Sequence, residues 1–176
     1  RVLFRSQGAM STFLVSTLNR INKALGKSDE DYYRAIAKSM LISCDNAHAI
    51  HPNHPELFDV KNRPVLNKGI AIKESANQKY TTDAFSRAVL KKILDKNNIP
   101  YQTFANRSDI IGGSTLGNLS NTAVSMNAVD IGLPQLAMHS AYETAGAKDV
   151  EYAIEALRAF FETNIDIKDD KVSLEV

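Results

Sequence analysis

Four histidines occur in this 176-residue sequence. Two of them, His48 and His51, stand just after Asp45 in Leu41-Ile42-Ser43-Cys44-Asp45-Asn46-Ala47-His48-Ala49-Ile50-His51-Pro52-Asn53, and His54 follows directly. An apolar run ends in a carboxylate, and imidazoles follow it. Carboxylate oxygen and imidazole nitrogen are both good ligands for a divalent metal such as zinc. The fourth histidine, His139, closes a second apolar segment, Ile131-Gly132-Leu133-Pro134-Gln135-Leu136-Ala137-Met138-His139-Ser140. In open α/β sheets, ligands bind beyond the ends of the strands. The residues alone leave two readings of Asp45 and His139. They are metal ligands, or they are a turn-capping carboxylate and a histidine bonded to backbone. Zinc takes three or four protein ligands, and fewer are visible here.

Other residue types set further expectations. Asp109 and Gly112-Gly113-Ser114-Thr115-Leu116-Gly117 stand where a strand gives way to a helix, a place where backbone N–H groups face an anion. The pattern lacks the lysine and the spacing of a P-loop. It keeps a nucleotide- or phosphate-binding α/β domain as the alternative function. From the residues alone, Lys73 is a solvated edge charge and Tyr80 a half-buried packing residue. His51 is expected to fix its loop, and His54 to be exposed. The one cysteine, Cys44, excludes an intrachain disulfide framework and fits a reducing compartment. Its apolar surroundings predict a buried small hydrophobe rather than a nucleophile. A net charge of +1 argues against nucleic acid as the main partner. No apolar run is long enough to span a bilayer. A cytoplasmic protein without nucleic-acid or membrane partners is expected.

These residues need elements to hold them. Leu14, Leu18, Ile21 and Leu25 recur at helical spacing, with Gly26 as the stop. Ser28-Asp29-Glu30-Asp31 has the form of a capping box for a shorter helix reaching about Lys38. Residues 40–45 read as a strand, 51–64 as an irregular loop with three prolines, and 65–73 as a second strand. Thr82 or Asp83 caps a long helix that ends near Asn97-Asn98. Residues 101–105 form a short strand, 115–126 a helix, and 128–138 a strand broken by Gly132 and Pro134. Val150, Ile154, Leu157 and Phe161 mark a last helix. The alternation of strand and helix predicts an α/β layered sheet.

The segment Ser43-Cys44-Asp45-Asn46-Ala47-His48-Ala49-Ile50-His51-Pro52-Asn53 closely resembles a motif of the aspartyl aminopeptidase family of dinuclear zinc exopeptidases. The resemblance continues through Lys68-Gly69-Ile70-Ala71-Ile72-Lys73, Asn77-Gln78-Lys79-Tyr80, Gly112 to Gly117 and Leu133 to Ser140, over residues 7–162. It implies the three-layer αβα sheet of the zinc-dependent exopeptidases, here as an incomplete domain. It implies a zinc-dependent aminopeptidase acting on peptide substrates with acidic or broader N-terminal residues, with two zinc ions in the complete enzyme. Asp45 and His139 then correspond to metal ligands, one for each zinc. Asp45, His48, Lys73 and Tyr80 correspond to residues around the substrate, and His48 to the catalytic donor facing the oxyanion. A segment that relatives carry before Gln7 supplies the remaining ligands and a glutamate base, so this chain is expected to be inactive alone. A homo-oligomer is implied for the complete protein. A non-catalytic binding module on the same fold is the third reading, against which Asp45 and His139 both speak. Residues 1–6 read as adapter-derived and non-native, 7–162 as the later part of a catalytic domain, and 163–176 as a tail without a clear element.

Overall fold

The computed structural model describes residues 8–168 and 171–175. The expectation for residues 1–6 lies outside them. The described chain folds as a mixed α/β structure with three sheets. The largest has four strands: β1 (Met40–Cys44), β3 (Ile70–Glu74), β4 (Tyr101–Ala105) and β5 (Asn127–Gly132), in the order β1-β5-β3-β4. β1 runs parallel to β5 and β3 parallel to β4, while β3 and β5 are antiparallel. A second sheet joins β2 (Ala47–His48), β6 (Pro134–Leu136) and β7 (Thr144–Ala145). The predicted break at Gly132 and Pro134 is real. It moves the chain from the first sheet into the second.

Helices follow from local signals. α1 (Phe13–Ala24) ends before Gly26, whose φ of 69° suits a residue without Cβ. α2 (Asp29–Ala37) opens on the full capping box, with Ser28 Oγ accepting from the Asp31 amide at 3.2 Å and Asp31 accepting from the Ser28 amide at 2.9 Å. α3 (Ala84–Lys96) is capped the same way by Asp83 and Ser86. α4 (Leu116–Ala123) and α5 (Ala147–Glu162) complete the set.

The two faces of the main sheet differ in chemistry. One face presents Ile70, Ile72, Val129 and Ile131 to Val89, Leu90 and Ile93 of α3 and to Ala153, Ala156 and Ala159 of α5. The alanine stripe lets α5 lie close. Of the residues that mark its period in the sequence, Val150, Ile154 and Phe161 instead point outward, at 48%, 55% and 80% exposure, and Leu157 is half-buried. On the other face stand Ala71 and Phe104, which cluster with Ala47 and Tyr80. Ser43 pairs in register with Asp130, and Lys73 with Phe104. One step along the β3–β5 ladder from Ile72 and Ile131 sets Lys73 beside Asp130. A polar row, Ser43–Asp130–Lys73, thus crosses three strands, and all three residues are buried.

Three expectations change. The strand predicted over 65–73 begins only at Ile70, because Asn67 (φ 63°) and Gly69 (φ 108°) turn the chain first. A Cβ on Gly69 would collide with the Pro100 carbonyl. The buried Asp149 carboxylate, in the first turn of α5, holds this turn by accepting the Asn67 and Gly69 amides at 2.7 and 3.0 Å. Cys44 is exposed rather than buried, since β1 is an edge strand and Cys44 is its last residue. The tail from residue 163 forms a hairpin, β8 (Asn164–Lys168) and β9 (Lys171–Glu175), whose Ile165, Val172 and Leu174 pack on the core.

Candidate functional site

Asp45 follows β1 directly, and its amide donates to the Ile131 carbonyl at 3.0 Å. A Cβ on Gly132 would strike the Asp45 carbonyl oxygen. The absence of a side chain at Gly132 is therefore what lets the Asp45 backbone lie against β5. The chain then enters β2, where His48 pairs in register with Gln135. Asn46 Nδ2 donates to the buried Gln135 Oε1 at 2.6 Å, tying the two parts of the site together. Three residues past β6 comes His139. Its φ of 68° and that of Ala137, 54°, lie in the left-handed region, which non-glycine residues seldom adopt. Glu143 Oε1 holds this turn by accepting the His139 amide at 2.6 Å.

The electrostatics show which groups share a neighbourhood. The His48 imidazole has its pKa lowered, first by burial and then by the charges of Lys73 and His139. It is therefore a neutral ring at physiological pH. Burial lowers the Lys73 pKa, while the carboxylates of Asp45 and Asp130, and then Cys44, oppose that effect. Lys73 is 3% exposed, its ammonium 5.3 Å from the centre of the Tyr80 ring. Burial also raises the pKa of the Tyr80 phenol, which accepts from Asn106 Nδ2 at 3.2 Å. Although Cys44 is exposed as a residue, the atoms packed around its thiol raise the thiol pKa, with Lys73 opposing and Asp45 adding to that effect. Lys73 is thus no solvated edge charge, and Tyr80 is buried.

Asp45, His48, Lys73, Tyr80 and His139 are thus linked to one another by their charges. His51 and His54 lie aside in the loop. His51 Nδ1 accepts the Asn53 amide at 3.2 Å, and the exposed His54 pairs with Glu56 at 3.1 Å. Gly112 and Gly113 precede α4 without forming its first turn, and the Gly117 amide is already bonded to Ser43 Oγ at 2.9 Å. That leaves less of the helix end for an anion.

Sequence reading missed Asp130. Its side chain is fully buried, and Oδ2 accepts from the Thr81 amide and hydroxyl at 2.6 and 2.7 Å. The signal was present: one acid in the apolar run Ala128-Val129-Asp130-Ile131 is out of place unless it is partnered.

Comparison with known proteins assigns the family. The family model described as Aminopeptidase I zinc metalloprotease (M18) matches residues 4–161. The chain belongs to the M18 aminopeptidase family. It is similar to the probable M18 family aminopeptidase 2 of Clostridium novyi (strain NT), at 48% identity over 155 residues, 88% of this chain and 36% of that protein. It is also similar to aspartyl aminopeptidase 1 of Schizosaccharomyces pombe, at 43% identity over 157 residues, 89% of this chain and 33% of that protein. Among solved structures, it matches one in the cryo-EM structure of the Ape4 and Nbr1 complex with a TM-score of 0.87 and 42% identity, covering 90% of this chain and 30% of the other. The mApe1 dodecamer of S. cerevesiae matches with a TM-score of 0.78 and 27% identity, over 90% and 35%. The M18 chain here spans about a third of the length of these relatives.

The M18 family is one of zinc metalloproteases. Asp45 and His139 have the right chemistry, but among the described residues no three His, Cys, Asp or Glu side chains converge to hold an ion. These residues do not by themselves make a zinc site.

Proposed function

We propose that this chain carries the substrate-facing side of a zinc aminopeptidase active site. The observation that carries this reading is the mutual electrostatic influence of Asp45, His48, Lys73, Tyr80 and His139 in an M18 chain. Asp45 and His139 each supply one ligand, to different zinc ions. The other ligands and the base come from sequence outside this chain. The sheet is part of the three-layer αβα domain, with residues 7–162 inside it and the β8–β9 hairpin closing its α3–α5 face.

The chain's own residues do the following. The neutral His48 ring donates a hydrogen bond to the oxygen that becomes negative when a peptide carbonyl is attacked. Tyr80 already accepts a bond from Asn106, and it donates its own hydroxyl proton to the peptide. Lys73 forms no ion pair among the described residues, so its cation is left for a substrate carboxylate. That favours peptides with acidic N-terminal residues, in keeping with a relative named an aspartyl aminopeptidase. The complete protein is a cytoplasmic homo-oligomer in this reading, supported by the single cysteine and by a structural relative that is a dodecamer.

The test is equilibrium dialysis of the purified chain with zinc, alongside a peptide-release assay. Weak zinc binding, reduced separately by Asp45→Ala and His139→Ala, with no release of N-terminal residues, is expected. Zinc binding unchanged in both variants would remove the ligand assignment. Release above that of the double variant would show that the base lies within this chain. Phosphate or ATP binding lost on substitution of Gly112 would instead favour the nucleotide-binding alternative.

A further inference from the structure

The polar row on the sheet has a centre that no proposed step uses. Asp130 lies on β5 between Ser43 of β1 and Lys73 of β3, and it is 0% exposed. Four hydrogen bonds tie it to one turn. Oδ2 accepts from the Thr81 amide and hydroxyl. The Asp130 amide donates to Thr82 Oγ1 at 2.9 Å, and the Asp130 carbonyl accepts from the same hydroxyl at 3.5 Å. This turn follows Tyr80 immediately and leads into the Asp83 cap of α3. Tyr80 in turn lies beneath the Lys73 ammonium. The second carboxylate oxygen, Oδ1, is buried and has no hydrogen-bond partner among the described residues.

A carboxylate buried this deeply in a sheet costs folding free energy unless its partners compensate. The acid fixes something that a hydrophobe could not. We propose that Asp130 is a positioning residue: it locks the Thr81–Thr82 turn so that the buried Tyr80 ring and the Lys73 ammonium stay stacked beside the polar row. Its charge also stands beside Lys73 on the neighbouring strand and opposes the loss of the lysine proton on burial. Asp130 touches neither substrate nor metal and acts through the other two side chains. The inference rests on the aminopeptidase reading only for what Lys73 and Tyr80 then bind.

The experiment uses the full 176-residue chain, labelled for NMR, with Asp130→Ala, Thr81→Val and Thr81→Ser. The readout is the through-space contact between the Lys73 ε-methylene and the Tyr80 ring. Methyl signals of Ile72 and Val129 on the opposite face report the core. Asp130→Ala, which removes the acceptor for both Thr81 donors, should lose the contact with those methyls unmoved, Thr81→Val should weaken it, and Thr81→Ser should restore it. Succinate serves as a dicarboxylate probe, and its shift of the Lys73 signals should need about tenfold more ligand in Asp130→Ala, the factor expected for a charge-assisted bond. A contact that survives in folded Asp130→Ala overturns the proposal. If Asp130→Ala does not fold, Thr81→Val decides: a lost or weakened contact supports the proposal and an intact one overturns it. Should succinate leave wild-type Lys73 unmoved while Asp130→Ala loses the contact, the anion-binding role of Lys73 fails and the positioning role of Asp130 stands.

Discussion

Gly132 shows how much one missing side chain contributes. The Asp45 carbonyl occupies the space where a Cβ would stand. Gly132→Ala must push the end of β1 away from β5, at a cost of about 1–3 kcal/mol typical of overpacking. Denaturant unfolding should show that loss, and the Asp45 and Asn46 amide signals should shift more than those of β4. An alanine variant as stable as wild type would mean that β1 is not pinned at Asp45. Asp149 makes a parallel case at the turn before β3. Asp149→Ala leaves the buried Gly69 amide without its acceptor, and stability should fall by about 2–3 kcal/mol in the same measurement. These two residues divide what the sequence discloses from what it hides. Asp45, His48 and His139 were legible because their types and spacing announce chemistry. Asp130 and Asp149 were not, because their partners lie 49 and 80 positions away and only the folded sheet brings them together.

At the scale of elements, local signals were legible and tertiary ones were not. The Ser28–Asp31 box and a cap at Thr82 or Asp83 could be read because adjacent residues specify them, while the Asp83–Ser86 box appears only in the structure. The start of β3 could not, since Asn67 and Gly69 turn by virtue of contacts with Pro100 and Asp149. Likewise α5 was found from residues that turn out to face solvent. An alanine stripe carries little hydrophobic weight in a sequence, yet it is what the sheet selects. The α2 box has a testable pH dependence. Hydrogen bonds from the Ser28 side chain and backbone hold the Asp31 carboxyl below its ordinary pKa of 3.8. A lowered folded-state pKa stabilises the helix above the unfolded value, and that contribution disappears as pH falls through the folded value. Amide protection in α2 should therefore decline below about pH 4 before that in α3, whose Asp83–Ser86 box shields a buried serine. In Ser28→Ala the α2 protection should be low already at neutral pH. Equal protection of α2 at pH 7 and pH 3 would refute the assignment.

Considered whole, the molecule hides one face of its main sheet well and leaves apolar side chains outside. Ile111 is 95% exposed, and α1 shows Phe13, Ile21 and Leu25 at 53%, 51% and 68%. On α5, Ile154 and Phe161 stand one and three turns from the start of the outward stripe at Val150. Contiguous exposed apolar surface drives association of otherwise soluble proteins. The described residues have no helix long and apolar enough to cross a membrane, so a bilayer-spanning helix is not what these faces form. The chain on its own should then associate as its concentration rises, and sedimentation velocity would show it. Two lysines, in Ile154→Lys and Phe161→Lys together, separate surface from core. Each side chain is more than half exposed, so folding stability should change by no more than about 0.5 kcal/mol. A lysine in the last turn of a helix also suits the negative end of its dipole. The added charge should break the stripe and shift association to higher concentration. A loss of several kcal/mol would mean that Phe161 supports the Phe160 ring packed at 5.6 Å from it, and so belongs to the core. Unchanged association with unchanged stability would move the sticky surface to α1, where Phe13→Lys and Leu25→Lys provide the same test.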